Sequence, residues 1–379
     1  MIIYIISFLL TILLIWLAEN IAKSKKIKII LMIAAVIPMF LVSAIRYNVG
    51  TDYNKRYVAN YVDLAQEKPV DDLEIGFKFI DYICLLFTKE PYILFIITSL
   101  IILAIIFEVI YKKSVNPILS VTIFFLGGYF FGTLNLIRQY VAVAFILLGY
   151  QFFMSENKKK AYIGFIICAI LAFLMHSTSI ICFIILFLNK KNLVSIKWIL
   201  PLSILILILN EKIMLLLTPI IKNTRFYVYL TGNMSQGELS ILQIGENLLV
   251  YFWMYAVYYW NKKSNKKLDK EGIILLNIQG ISFLLTVAGI IHIQFNRIAI
   301  YFVIFQILSI PYFLKIMPFE NIAKIINSKM KKNIKEKTIK TITYILIILC
   351  FCAMFGYTNI LNNDNEVLPY QTIFSKYLK

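Results

Sequence analysis

PYILFIITSLIILAIIFEVIY, Pro91–Tyr111, decides how this chain must fold. The stretch holds one charge, Glu108, and runs straight into Lys112 and Lys113. About 20 apolar residues in a helix cover the roughly 30 Å hydrocarbon core of a bilayer. Inside that core only helices and closed barrels satisfy their own backbone groups. Pro91–Tyr111 therefore reads as a membrane-crossing helix. Similar runs recur on both sides of it. Twelve candidate crossings result, at about 2–18, 28–45, 91–111, 117–133, 137–154, 160–175, 178–188, 196–217, 243–260, 272–291, 297–317 and 340–357. The seventh is short enough to be a half-helix or a re-entrant segment, a form tolerated where protein or water lines it.

Composition agrees. Of 379 residues, 60% are hydrophobic and 15% charged, against about 25% charged in an average soluble domain. The expected fold is all-α: a polytopic transmembrane helical protein of about 12 crossings, forming one integral membrane domain over 1–379. Its outer loops fall at about 46–90 and 218–242, and a cytoplasmic basic loop at about 316–341. The net charge of +18 does not point to nucleic acid, because the lysines sit in short blocks between apolar runs, as cytoplasmic loops do. Cys84, Cys168, Cys182, Cys350 and Cys352 make no CxxC pair, so neither a disulfide framework nor a zinc site is implied. The first run lacks a basic leader and a small-residue cleavage site, and reads as a retained helix.

The lysines serve as a ruler. Blocks follow the first, third, fifth, seventh, ninth and eleventh runs: Lys23–Lys28, Lys112-Lys113, Lys158–Lys160, Lys190–Lys197, Lys262–Lys270 and Lys315–Lys340. All lie in alternate loops, which places them in the cytoplasm and both termini outside. The arginines behave oppositely. All five, Arg46, Arg56, Arg138, Arg225 and Arg297, fall in outer loops or at outer helix ends. Arginine's planar, permanently charged fork pairs bidentately with phosphate or carboxylate. A chain that otherwise uses lysine thus keeps arginine where an anionic ligand would bind.

The outer segments carry the polar motifs. Arg46-Tyr47-Asn48-Val49-Gly50-Thr51-Asp52-Tyr53 sets Arg46, Asp52 and two tyrosines in one tight turn, either around a phosphorylated or sugar ligand or as a helix cap in an interfacial tyrosine belt. Glu74, in Leu73–Phe77, is an acid, base or hydroxyl ligand, or a dipole-favoured acid in a first helical turn. It precedes a stripe of Leu73, Phe77, Ile80, Ile83 and Cys84 at helical spacing, the mark of an amphipathic helix on the membrane surface. Gly127–Gln139 is a short Gly/Phe-rich turn ending in Arg138-Gln139. A helix N-terminus already favours anions, so a cation there reads either as the partner of an anion or as a snorkelling arginine. His176 breaks an apolar run at Met175–Ser179, and a histidine near neutral pKa is a general base. Serine and threonine capping of a helix break is the plainer reading. His292 maps to the same side, as does Arg297, which stands like Arg138 at an outer helix start. Glu19, Glu108, Lys212 and Glu246 lie near helix ends and are expected to snorkel. No P-loop, nucleophile elbow or metal constellation is present, so neither metal nor cofactor is expected.

Taken in order, RYNVGTDY (Arg46–Tyr53), EIGF (Glu74–Phe77), Arg138-Gln139, His176-Ser177 and Pro369-Tyr370 resemble the EpsG family of exopolysaccharide biosynthesis proteins, related to Wzy-type O-antigen polymerases. The resemblance spans most of the chain. It implies a glycosyltransferase C-like helical fold in the bacterial cytoplasmic membrane. It also implies a metal-independent glycosyltransferase that joins undecaprenyl-pyrophosphate-linked oligosaccharide repeats on the outer face. On that footing His176 is the first candidate base, with Asp52 and Glu74 behind it. Arg46, Tyr53, Arg138, Gln139, Arg225 and Arg297 would bind pyrophosphate and sugar. A flippase and a chain-length regulator are the expected protein partners. The competing readings are a flippase or transporter of lipid-linked oligosaccharide, which would carry ionisable residues at mid-membrane, and a glycan ligase, which differs mainly in acceptor.

Overall fold

The computed structural model describes residues 1–71, 73–188, 195–222, 241–330 and 333–377. Every named element there is helical, and the sole strand-like pairing among the described residues is an isolated bridge between Arg46 and Thr372. The all-α expectation holds. Among the described residues, five helices are long and apolar enough to cross a bilayer, or seven if each of two bent pairs counts as one span. The remaining predicted runs also fall on helices. Three of them are shorter or open on charge: Ile137–Phe153 has 17 residues, Lys158–Met175 opens on three lysines, and the seventh run is an 11-residue 3₁₀ segment, Ser177–Phe187.

The chain divides into two compact units, Met1–Ile180 with Ile347–Lys379, and Ile181–Leu346. The first contains α1 (Ile2–Asn20), α2 (Lys25–Ala34), α3 (Ile37–Ala44), α4 (Ala59–Ala65), α5 (Ile75–Leu85), α6 (Tyr92–Lys113), α7 (Pro117–Leu126), α8 (Tyr129–Asn135), α9 (Ile137–Phe153) and α10 (Lys158–Met175). Its centre is α9, buried from Ile137 to Ala144 and packed against α6 and α10. Gly149 lets α10 approach, since a Cβ there would stand 3.1 Å from the Cβ of Cys168.

The expected crossing at 117–133 is two helices, α7 and α8, bent by 54°. The cause is Gly128, whose φ of +76° suits glycine and starts α8 in a new direction. The phenylalanines after it, Phe130 and Phe131, pack with Phe125 and Tyr4 into one aromatic core.

α5 corrects a second expectation. Leu73, Phe77, Ile80 and Cys84 of the predicted stripe are buried. The opposite face is not polar: Ile75, Phe79 and Tyr82 are 73%, 63% and 51% exposed. A helix apolar on both faces suits hydrocarbon on its outer side rather than water.

In the second unit Lys270–Ala288 is the buried helix, packed by Ile196–Ile221, Ile241–Lys263, Ile293–Val303 and Gln306–Ile316. The expected crossing at 297–317 starts earlier, at Ile293, and bends by 50° between Val303 and Gln306. A polar seam runs inside this unit. Ser282 donates to Asn247 Oδ1 at 2.8 Å and Gln279 to the same oxygen at 3.2 Å. Glu246 joins it instead of snorkelling as expected. Its Oε2 accepts from Asn247 at 3.1 Å, and its Oε1 is enclosed. Sitting more than one turn inside its helix, the carboxyl faces its neighbours and not the helix end.

Candidate functional site

The turn after α3 is fixed from two directions. Asn48 and Gly50 take φ of +52° and +102°, and a Cβ on Gly50 would stand 2.9 Å from the Leu134 carbonyl. Glycine is thus required both for the turn and for its approach to the end of α8. There Asn135 Oδ1 accepts from the Thr51 hydroxyl at 2.7 Å and the Asp52 amide at 3.0 Å. The C-terminal tail closes the other side. The amides of Gly50 and Tyr47 donate to the carbonyls of Glu366 and Gln371 at 3.1 and 2.9 Å, and the Tyr370 hydroxyl to that of Val42 at 2.9 Å. Motifs far apart in sequence therefore meet: RYNVGTDY, the Gly/Phe turn and Pro369-Tyr370.

Arg46 sits beneath this turn, 1% exposed. Its guanidinium lies over the Phe95 ring at 4.7 Å and donates to the carbonyl and hydroxyl of Ser43 and to the hydroxyl of Ser99. Burial lowers it to about 10, so it stays a cation at neutral pH. Tyr53, also buried, stacks on the same Phe95 ring at 4.2 Å. Asp52 faces outward and pairs loosely with Arg56 at 3.9 Å.

A second convergence lies beside the first. α5 crosses α10 at Gly76, where a Cβ would come within 2.8 Å of the Leu174 carbonyl. The close crossing brings Glu74, just before α5, to His176, just after α10. Arg138 arrives from the first turn of α9. Glu74 grips both partners: Oε2 accepts from Arg138 Nη1 at 2.6 Å, and Oε1 lies 3.0 Å from His176 Nδ1. Arg138 and Glu74 side chains are only 7% and 10% exposed, while His176 is open at 20%.

The electrostatics assign roles. Burial acts to raise Glu74, but the bond to His176 and the Arg138 charge outweigh it and hold the carboxyl at about 2. A group that acidic is ionised at neutral pH and is no base. Facing an ionised carboxylate, His176 Nδ1 carries the hydrogen and donates. In the neutral ring Nε2 is then the basic nitrogen. Glu74 orients an imidazole and a guanidinium at once, an arrangement that can set a proton acceptor beside a positive charge.

Sequence reasoning missed two neighbours. Tyr57 is buried between Asp52 and Arg138, whose backbone hydrogen-bonds it, and burial raises its hydroxyl. Asp81 is 1% exposed on the same face of α5 as Phe77, with its Oδ1 enclosed and unpartnered. Burial raises Asp81 to about 7 against the pull of Arg138. Both had a signal. Tyr53, Tyr57 and Tyr61 recur every fourth residue, all buried, and Asp81 is an acid on an apolar stripe.

Within the first unit the expected site residues fall in two places. Arg138 and His176 meet through Glu74, and Gln139 is buried in α9 next to Arg138. Arg46 is enclosed separately. Arg297 belongs to the second unit, one turn inside the helix Ile293–Val303 rather than at its start. His292 is that helix's cap, accepting from the Gln294 amide at 3.1 Å. Arg225 lies outside the described residues.

The sequence model of the EpsG family matches residues 28–330, and the chain belongs to that family. No curated protein and no solved structure matches it. Membership and the apolar helices together make this an integral membrane protein of polysaccharide biosynthesis.

Proposed function

We propose that this EpsG-family chain is a polymerase joining undecaprenyl-pyrophosphate-linked oligosaccharide repeats into an exopolysaccharide or O-antigen at the outer face of the bacterial cytoplasmic membrane. The observation that carries the reading is Glu74 held between Arg138 and His176. His176 Nε2 takes the proton from a sugar hydroxyl of the acceptor repeat. That oxygen bonds to the anomeric carbon of the donor glycan as the bond to pyrophosphate breaks. The leaving oxygen gains negative charge, and the Arg138 guanidinium stabilises it. Glu74 touches neither reacting atom: it sets the histidine tautomer and aims the guanidinium. Asp52 and Tyr57 edge the same cluster, where they serve sugar hydroxyls.

Purified protein supplied with lipid-linked repeats tests this. His176→Ala and Arg138→Ala are each expected to lower polymer formation by roughly 10²–10⁴-fold, with the protein still accumulating in membranes. If both variants polymerise at the parent rate, the reading is wrong.

A further inference from the structure

A groove in the second unit lies where Ile241–Lys263 turns into Lys270–Ala288. It encloses about 820 Å³ and is lined by Lys262, Lys266, Lys267, Tyr258 and Asn265. Its remaining wall is apolar, from Leu268, Ile273 and Leu276. The turn is built to hold this shape. Asn265 takes φ of +57°, and the Lys266 amide closes onto the Asn261 carbonyl at 2.9 Å.

Two nearby acids are engaged by other groups. Asp269 caps the next helix through the Gly272 amide at 2.8 Å and accepts from the Tyr312 hydroxyl at 2.6 Å. Glu320, which faces Lys266, is bound by Lys324 at 2.6 Å. Lys262, Lys266 and Lys267 therefore concentrate positive charge in one hollow. The depth of the groove is marked independently. Tyr255, Tyr258, Tyr259 and Trp260 occupy the last turns of the helix immediately before its lysines. Aromatic side chains followed by lysine are the signature of the headgroup layer.

We infer that this groove binds the phosphate headgroup of an anionic membrane phospholipid, with the lipid's glycerol and upper acyl region against Leu268, Ile273 and Leu276. Three lysines match one phosphate better than any carboxylate within the unit does, and the apolar wall distinguishes a lipid from a free anion. The assignment does not depend on the polymerase reading or on which leaflet the turn faces.

The test measures retention of phosphatidylglycerol against phosphatidylcholine by the full chain in mixed micelles. The parent protein is expected to prefer phosphatidylglycerol. A Lys262→Gln, Lys266→Gln, Lys267→Gln triple variant should lose about 100-fold in affinity, at roughly fivefold per basic residue near an anionic surface. A Lys23→Gln, Lys25→Gln, Lys26→Gln variant removes the same charge from another loop and should lose less than about fivefold. The triple arginine variant at 262, 266 and 267 should keep the preference, which separates binding from misfolding. Excess inorganic phosphate should compete poorly. The inference fails if both glutamine variants lose equally, which means a diffuse field, or if inorganic phosphate displaces the lipid fully, which means a plain anion site.

Discussion

Arg46 and Arg138 are the same residue type in the same unit, each at a helix end, both almost wholly buried. They are solved in opposite ways. Arg138 has a carboxylate at 2.6 Å, and that carboxylate also holds the most open side chain of the cluster. Arg46 has a phenyl face, two serines and a closed turn above it. One guanidinium is offered toward a site; the other is built into the wall. Burying a charge is costly unless it is paired and hydrogen-bonded. Arg46 meets that cost with serine oxygens and a ring quadrupole, and its side chain ties α3 to α6 beneath the turn. Charge type and sidedness do not tell these two roles apart; the identity of the partner does.

The comparison breaks most visibly in activity. Losing Arg138 or His176 should lower polymer formation by orders of magnitude while the protein still accumulates in membranes. Arg46→Ala should do the reverse. It removes the partner of the Ser43 carbonyl and the Ser99 hydroxyl and leaves a void against Phe95. A loss of about 3 kcal/mol is expected from the cavity and the orphaned acceptors. Thermal unfolding in detergent checks it, together with the activity of whatever protein stays folded. If Arg46→Ala is as stable as the parent but inactive, Arg46 belongs to the site and the contrast collapses.

Asp81 sharpens the comparison from the acid side. Two carboxyls share α5 and its N-terminal approach: Glu74 is held at about 2, Asp81 near 7. Glu74 is depressed, so its stabilisation is present above its unfolded value near 4.5 and fades only as pH falls toward 2. Asp81 is raised, so its contribution is complete below its unfolded value near 3.8 and is lost as pH rises toward 7. Of these two carboxyls, only Asp81 changes its contribution between pH 5 and 8. Asp81→Asn should therefore be more heat-stable than the parent at pH 8, by a few degrees, and should flatten the decline between pH 5 and 8. Melting curves at both pH values measure this, and an unchanged pH slope would mean that Asp81 is not the buried acid responsible.

How much of this was legible beforehand follows from what each feature depends on. The helices were readable because membrane depth imposes a minimum apolar length, and Pro91–Tyr111 meets it almost without polar interruption. The bend at Gly127-Gly128 was not placed, since two adjacent glycines fit a straight helix, a kink or a loop until packing selects one. His176 and Arg138 were singled out from residue type and position. Their link was not, because it requires α5 to cross α10 at Gly76, and no local pattern says which helices cross. Arg46 marks another limit. Its motif was open to two readings, a ligand turn or a helix cap, and the tail that bonds to that turn, from Glu366 to Gln371, stands more than 300 residues away in sequence.

The smallest expected effect concerns the second histidine. His292 resembles His176 in following a helix end and in lying in a polar stretch. Its imidazole is instead spent on the Gln294 amide, as a helix cap, and it is 3% exposed. Accepting an amide hydrogen through Nδ1 fixes the hydrogen on Nε2, the tautomer opposite to that of His176. That leaves no basic nitrogen for a sugar hydroxyl. His292→Ala should then cost about 1 kcal/mol, the usual loss of a cap, and leave polymerisation per folded molecule unchanged. His292→Asn should recover most of the stability, because asparagine caps through its own oxygen. Stability and polymer yield measured on the same preparations decide it: recovery by asparagine without any change in yield keeps His292 structural, whereas a yield that falls in both variants would bring the second unit's histidine into the reaction.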